Sequence, residues 1–205
     1  MKTYESPLTT LDLLAVARAN PTLRRVHAGT YPLDALPTLL ITGRPRHILY
    51  NASPSTDRGT HWLSIWLSND TTAEVMDSLG QRPISPEVLS FLRRHASRSV
   101  YSTQKIQDIS SNACGLYCLS HGLARARGYS FTHWLSRFSD CPANNDQIVY
   151  CEFMTQLAFP SLFTPRLRGW KRVVDRSCGR KVCIEKEDSR TLAAFQSTSK
   201  RHRKE

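Results

Sequence analysis

The chain has 205 residues, 40% hydrophobic and 22% charged, with 28 Lys/Arg against 17 Asp/Glu and a formal net charge of +11. That length suits one domain with a substantial core, or one domain plus a tail. No apolar run approaches the roughly 18 residues that span a bilayer, so no membrane partner is expected. The opening stretch "MKTYESPLTT" carries no secretory h-region, and the six cysteines are therefore expected to be reduced thiols, not a disulfide framework.

In chain order, "SPLTTLDLLAVARANPTL" places Leu11, Leu14, Ala15 and Ala19 at helical spacing, with Thr9 or Thr10 as cap and Pro21 beyond the end. "LPTLLITG" and "RHILYNAS" are compact apolar runs bounded by Gly, Pro and Asn, and both read as strands. "HWLSIWLSN" and "TAEVMDSLG" read as a hairpin about a polar turn at Asn69-Asp70. Ser85 before Pro86 and Glu87 is a helix-start signature, and Val88, Leu89, Phe91 and Leu92 supply the apolar face that follows. "VYSTQKIQD" returns to a strand pattern.

Next comes "QDISSNACGLYC", in which a Ser/Asn-rich loop gives way to Leu116, Leu119, Leu123 and Ala126 at helical spacing. The segment from Cys114 to about Arg127 reads as an amphipathic helix with Cys114 in its first turn. The free N–H groups and positive dipole end of a helix favour an anion there, which suits a thiolate nucleophile. The plain alternative is a buried structural cysteine.

A nucleophilic cysteine needs a base within hydrogen-bond reach and a third group to orient it. His121 lies seven residues along the same helix, about 10 Å by rise alone, and is excluded. His95 and His133 sit in helical segments and read as surface or packing residues. His61 opens a strand after the turn "DRGTHW", with Trp62 and Trp66 available to wall a cleft. If the two strands pair as a hairpin, His61 and Asp77 come to the same end of the sheet. Glu74, on the opposite strand face, is the weaker candidate for the orienting acid.

"STQKIQDISSNACGLYC" together with "RGTHW" and "MDSLG" resembles the adenovirus-type cysteine endopeptidases, including relatives in virus-like DNA transposons, within the superfamily of SUMO-deconjugating proteases. The similarity covers roughly residues 28 to 130 and keeps the order His, acid, Gln, Cys. It implies that His61 is the base, Asp77 its orienting acid, Gln107 an oxyanion donor and Cys114 the nucleophile. It further implies protein substrates cut at small-residue sites containing Gly, in viral or transposon structural precursors, and a location in the host nucleus or virion. Two positions depart from the adenoviral pattern. The acid is Asp77 where Glu is general, and no cysteine precedes Cys114 to hold a disulfide-linked peptide activator. Activation by a non-covalent peptide, by DNA alone, or by neither all stay open.

The basic excess is C-terminal, since residues 164–205 hold 13 Lys/Arg against 5 Asp/Glu. Such a bias points to an anionic partner, DNA before a membrane surface. The closing "STSKRHRKE" reads as a disordered tail or import signal. Cys178 and Cys183 give only half a zinc site, with His202 alone nearby, and no metal is expected. Cys118 reads as a packing residue.

The expectation is therefore an α+β fold: a mixed, largely antiparallel sheet with helices on both faces and the Cys114 helix central. Residues 1–163 would form the protease domain, and 164–205 a basic region, partly packed, with a tail from about 196. The chemistry would need no cofactor, and the chain would be a monomer. The alternatives are a SUMO or ubiquitin-like deconjugase and a noncatalytic DNA-binding protein on a decayed protease fold.

Overall fold

Thr9 starts the first helix as a capping box. Its hydroxyl accepts the Asp12 N–H at 3.2 Å, and the Asp12 carboxylate accepts the Thr9 N–H at 2.9 Å. In the computed structural model, which describes residues 7–157, this helix, α1, runs Thr10–Ala19. It buries Leu13, Val16 and Ala17, whereas Leu11 is exposed. The expected face, Leu11, Leu14, Ala15 and Ala19, is thus offset by two residues, about 200°, from the buried one. Both sets satisfy a 3.6-residue period, and the partner beneath decides between them. Pro21 lies beyond the end of α1, as expected, and there opens a short second helix, α2 (Pro21–Arg24), capped by the Asn20 side chain.

Five strands follow: β1 (His27–Tyr31), β2 (Arg46–Asn51), β3 (Trp62–Leu67), β4 (Thr72–Met76) and β5 (Arg98–Tyr101). They lie side by side in chain order. The two central ladders, β2–β3 and β3–β4, are antiparallel, and the two outer ones, β1–β2 and β4–β5, are parallel. The mixed sheet is as expected, with its antiparallel part confined to the centre. Ser64 pairs with Met76 and Leu67 with Ala73, which makes β3 and β4 the anticipated hairpin.

"LPTLLITG" does not form a strand. Leu33–Thr38 is a 3-10 turn containing Pro37, which cannot donate to a ladder, and Leu36 anchors it in the core. The sheet edge is taken instead by β1, whose five half-buried residues gave no periodic signal.

Alternation along the strands splits the core in two. Ile48, Tyr50, Leu63, Ile65, Ala73 and Val75 face helix α3 (Pro86–His95) and the 3-10 turn. The opposite face, with Leu49, Trp62 and Met76, receives helix α4 (Cys114–Ala126). Every residue of α4 from Cys114 to Ala124 is buried, so it is not amphipathic as its leucine spacing suggests. The sheet covers one side. The rest is enclosed by α1, α2 and two later helices, α5 (Phe131–Leu135) and α6 (Pro142–Glu152). Gly122 allows the close approach to β2, because a Cβ there would lie 2.3 Å from the His47 ring.

Cys114, Cys118 and Cys141 are free thiols, but Cys151 is disulfide-bonded, which corrects the expectation that all six are reduced. Among the described residues no helix is long and apolar enough to cross a membrane. Residues 164–205, with Cys178, Cys183 and His202, lie outside the described residues.

Candidate active site

Three segments meet at one end of the β3–β4 hairpin: the residue before β3, the residues after β4, and the loop that leads into α4. They bring together the four residues singled out above. His61 Nε2 is 2.7 Å from Asp77 Oδ1, and Cys114 hydrogen-bonds the same imidazole, which leaves Nδ1 as the nitrogen that faces the sulfur. His61, Gln107 and Cys114 line a cleft of about 760 Å³, and the buried Asp77 stands behind His61. Trp62 lines this cleft too, with its indole N–H held by the Leu8 carbonyl at 2.9 Å. Trp66 does not. It is buried beneath α4 with the Arg125 guanidinium over its ring.

Each group is held by its own backbone context. Asp77 Oδ1 also accepts the Leu79 N–H at 2.8 Å, and the Asp77 peptide is clamped by Ser102. The Ser102 hydroxyl accepts the Asp77 N–H at 2.8 Å and donates to the Asp77 carbonyl at 2.9 Å. The carboxylate therefore cannot swing away when His61 moves. Gln107 is equally fixed: Ser78 Oγ donates to its Oε1, and its Nε2 donates to the Ser111 carbonyl at 2.9 Å. Those partners set the orientation of the amide and occupy one of its two N–H groups. Cys114 opens α4 with no side-chain cap, so no capping side chain competes for the N–H groups of its first turn.

The electrostatics follow from this packing. Burial works against a charged His61, but the hydrogen bonds and charges of Asp77 and Cys114 outweigh it and raise its pKa to about 9. The Cys118 thiol, one turn beyond Cys114, is fully buried and pushed well above its ordinary range by desolvation, as suits a packing residue.

The rejected candidates have other partners. Glu74 faces α4, with Oε2 at 2.7 Å from Arg125 Nε and 3.7 Å from His121 Nε2. His121 is fully buried with Nδ1 at 2.8 Å from Ser64 Oγ. His95 stacks on Phe91 and accepts the Ile41 N–H. Ser78, Ser102 and Ser111 were not foreseen. Ser78 directly follows Asp77, but serines carry no spacing signal that separates a clamp from a solvated turn.

No family model and no curated protein sequence matches the chain. Among solved structures it is similar to the ASFV pS273R protease in two crystal structures. One aligns at TM-score 0.52 and 15% identity over 76% of this chain and 72% of the other. The second, a selenomethionine form, aligns at TM-score 0.43 and 23% identity over 57% of this chain and 46% of the other, less than half of that protein's length. The central domain of the uncharacterized Lpg1148 protein from Legionella pneumophila aligns at TM-score 0.44 and 13% identity, over 83% and 99%. The first of these alignments shows the architecture alone: the chain shares the mixed α+β fold of that structure.

Proposed function

We propose that the chain is a thiol endopeptidase. The observation that carries this reading is His61 held between the Asp77 carboxylate, at 2.7 Å, and the Cys114 thiol, at the wall of a cleft of about 760 Å³. A raised His61 pKa favours an imidazolium beside a thiolate, the reactive form of such a pair.

The Cys114 sulfur attacks the scissile carbonyl carbon, and the carbonyl oxygen takes up the negative charge. The free N–H of the Gln107 amide and the Cys114 backbone N–H are the donors for that oxyanion. On collapse the C–N bond breaks, and His61 gives its proton to the departing amine. His61 then takes a proton from a water molecule that attacks the thioester. The new C–O bond releases the acid and returns Cys114 to the thiolate. Asp77 keeps the ring orientation and the Nε2–H tautomer through both halves.

The substrate class rests on the resemblance: viral or transposon structural precursors cut at small, Gly-containing sites. A deconjugase would use the same chemistry on a folded ubiquitin-like tail. DNA is proposed as a partner of residues 164–205 on their charge alone, and a salt titration of duplex binding with and without "STSKRHRKE" tests it.

The test of the reaction is cleavage of a peptide library, with and without DNA, by the wild type and two cysteine variants. Cys114→Ala abolishes cleavage without unfolding the protein, and Cys118→Ala retains most of it. Matched losses at both positions, or cleavage by Cys114→Ala, exclude the assignment. Cleavage of ubiquitin-like fusions alone, with no turnover of free peptides, favours the deconjugase.

A further inference from the structure

The loop that carries Gln107 is gripped from behind by α6. Asn145 Nδ2 donates to the Ile106 carbonyl at 3.1 Å and to the Ser139 carbonyl at 2.7 Å. The Tyr117 hydroxyl lies 2.8 Å from the same Ile106 carbonyl and also 2.8 Å from Asp146 Oδ1. Asp146 hydrogen-bonds the Ser111 side chain and the Asp108 backbone as well, so one buried carboxyl ties both ends of the segment that presents Gln107.

The proton count here is decisive. A phenol has one hydrogen to donate, and a backbone carbonyl has none. If Asp146 is ionised, one of the two 2.8 Å contacts sets oxygen lone pairs against each other in a buried site. If Asp146 is protonated, it donates to the Tyr117 oxygen, Tyr117 donates to Ile106, and every group is satisfied. We propose that Asp146 is a positioning residue whose protonated carboxyl, acting through Tyr117 and Ile106, holds Gln107 in place to serve the oxyanion. This rests on the endopeptidase reading for its catalytic consequence, but not for the proton itself.

The surroundings agree. Burial raises the Asp146 pKa and the Asp108 charge adds to it, against the hydrogen bonds from Ser111, Tyr117 and the Asp108 backbone. The groups that face Asp146 are Asp108 and Ser111 from the loop and Tyr117 from α4, with Tyr150 of α6 beyond Tyr117. Lys105 acts on Asp108. Among these, no cation touches Asp146.

The test has two parts. Carbon-13 NMR of the aspartate carboxyls, with Asp146→Asn to assign the signal, gives the titration directly. The expected midpoint lies above the pH at which the kinetics are measured, and a midpoint below that pH overturns the proposal. The kinetic part compares Asp146→Asn, whose amide still donates to Tyr117, with Asp146→Ala and Tyr117→Phe, which break the chain of bonds. The Asn variant should keep kcat within about 3-fold, and the Ala and Phe variants should lose about 10-fold or more with KM little changed. Alkylation of Cys114 by iodoacetamide, which forms no oxyanion, should proceed equally in all four proteins. The wild-type loss of kcat on ionisation of Asp146 should be absent in Asp146→Asn. An Asn variant as impaired as Ala, or a parallel loss of alkylation, overturns the role. A wild type that cleaves no peptide defeats the endopeptidase reading, while the carboxyl titration still decides the proton.

Discussion

His61 and Asp77 lie 16 residues apart, and the β3–β4 hairpin brings Nε2 and Oδ1 to 2.7 Å at its open end. The same carboxylate oxygen accepts the Leu79 N–H, so the acid is fixed by the backbone turn that follows it and does not depend on the histidine for its place.

Asp77→Asn should therefore keep the fold and lower kcat/KM by about 10²- to 10⁴-fold, because the amide either turns its NH₂ toward the ring or loses the charge that sustains the imidazolium. Glu74→Gln should behave in the opposite way. It leaves the rate near that of the wild type and costs about 1–3 kcal/mol of stability, since Arg125 loses its partner in a mostly buried site. Steady-state kinetics and thermal unfolding of the two variants separate these effects. A larger rate loss in Glu74→Gln than in Asp77→Asn would reverse the choice of acid.

The hairpin was legible because β3 and β4 carry their own signals: an apolar run on each side of Asn69-Asp70 and a length that returns the chain to its start. The α4 boundary was legible for the same local reason. What could not be read was anything decided by a distant partner. The α1 face was misplaced because Leu11 and Leu13 fit one helical period equally well, and only the packing of Leu13 beside Gly115 of α4 separates them. "LPTLLITG" has strand composition, yet Pro37 and the buried Leu36 make it a turn. Tyr117 and Asp146, 29 residues apart, meet through helix packing that leaves no pattern in either segment.

Gln107 offers a graded test. Gln107→Ala removes an oxyanion donor and should cost about 10²- to 10³-fold in kcat. Ser78→Ala removes only the hydroxyl that holds Oε1, leaves the amide free to rotate, and should cost about 10-fold, the scale of one buried hydrogen bond. Added to Gln107→Ala, the Ser78 change should have little further effect on kcat, because its role runs through that amide. Fully additive losses would show that Ser78 acts elsewhere.

Two opposed histidine effects set the pH profile. His61 has a folded pKa of about 9 against an ordinary 6.5, so its contribution to stability is complete below about 6.5 and is lost as pH rises through about 9. Activity should fall over the same alkaline limb as the proton for the leaving amine disappears. Asp77→Asn should move that limb toward lower pH. His27 behaves inversely. Burial, with the Arg18 charge, lowers it to about 4, and burial likewise lowers His47 and His121. Stability should therefore decline as pH drops from about 6.5 toward 4, because the unfolded chain protonates these rings while the folded protein keeps them neutral. Urea unfolding across pH 4–10 should show a maximum near pH 6.5–7, and a curve rising steadily to pH 9 would contradict the raised His61.

Gly122 gives a prediction whose sign depends on packing. An alanine in mid-helix gains about 1 kcal/mol over glycine in propensity, which on its own makes Gly122→Ala stabilising. At this position the new Cβ would lie 2.3 Å from His47 Cε1 and 2.4 Å from Nδ1. The ring has little room to yield. It is fully buried, with His27 Nδ1 at 3.4 Å on one side and His121 edge-on at 6.3 Å between centroids on the other. The helix must shift off β2, and overpacking of that kind costs about 1–3 kcal/mol beyond the propensity gain. Since α4 carries Cys114 at its first turn, the same shift should also lower kcat. Gly115→Ala is the control on the same helix. Its Cβ would meet the flexible end of Leu13 at 3.1 Å, so its effect on stability should be smaller. Denaturant unfolding of both variants, and of Gly122→Ala combined with His47→Ala, measures the conflict. Partial recovery in the double variant identifies the His47 ring as its source, and a Gly122→Ala protein more stable than the wild type would show that α4 does not sit this close to the sheet.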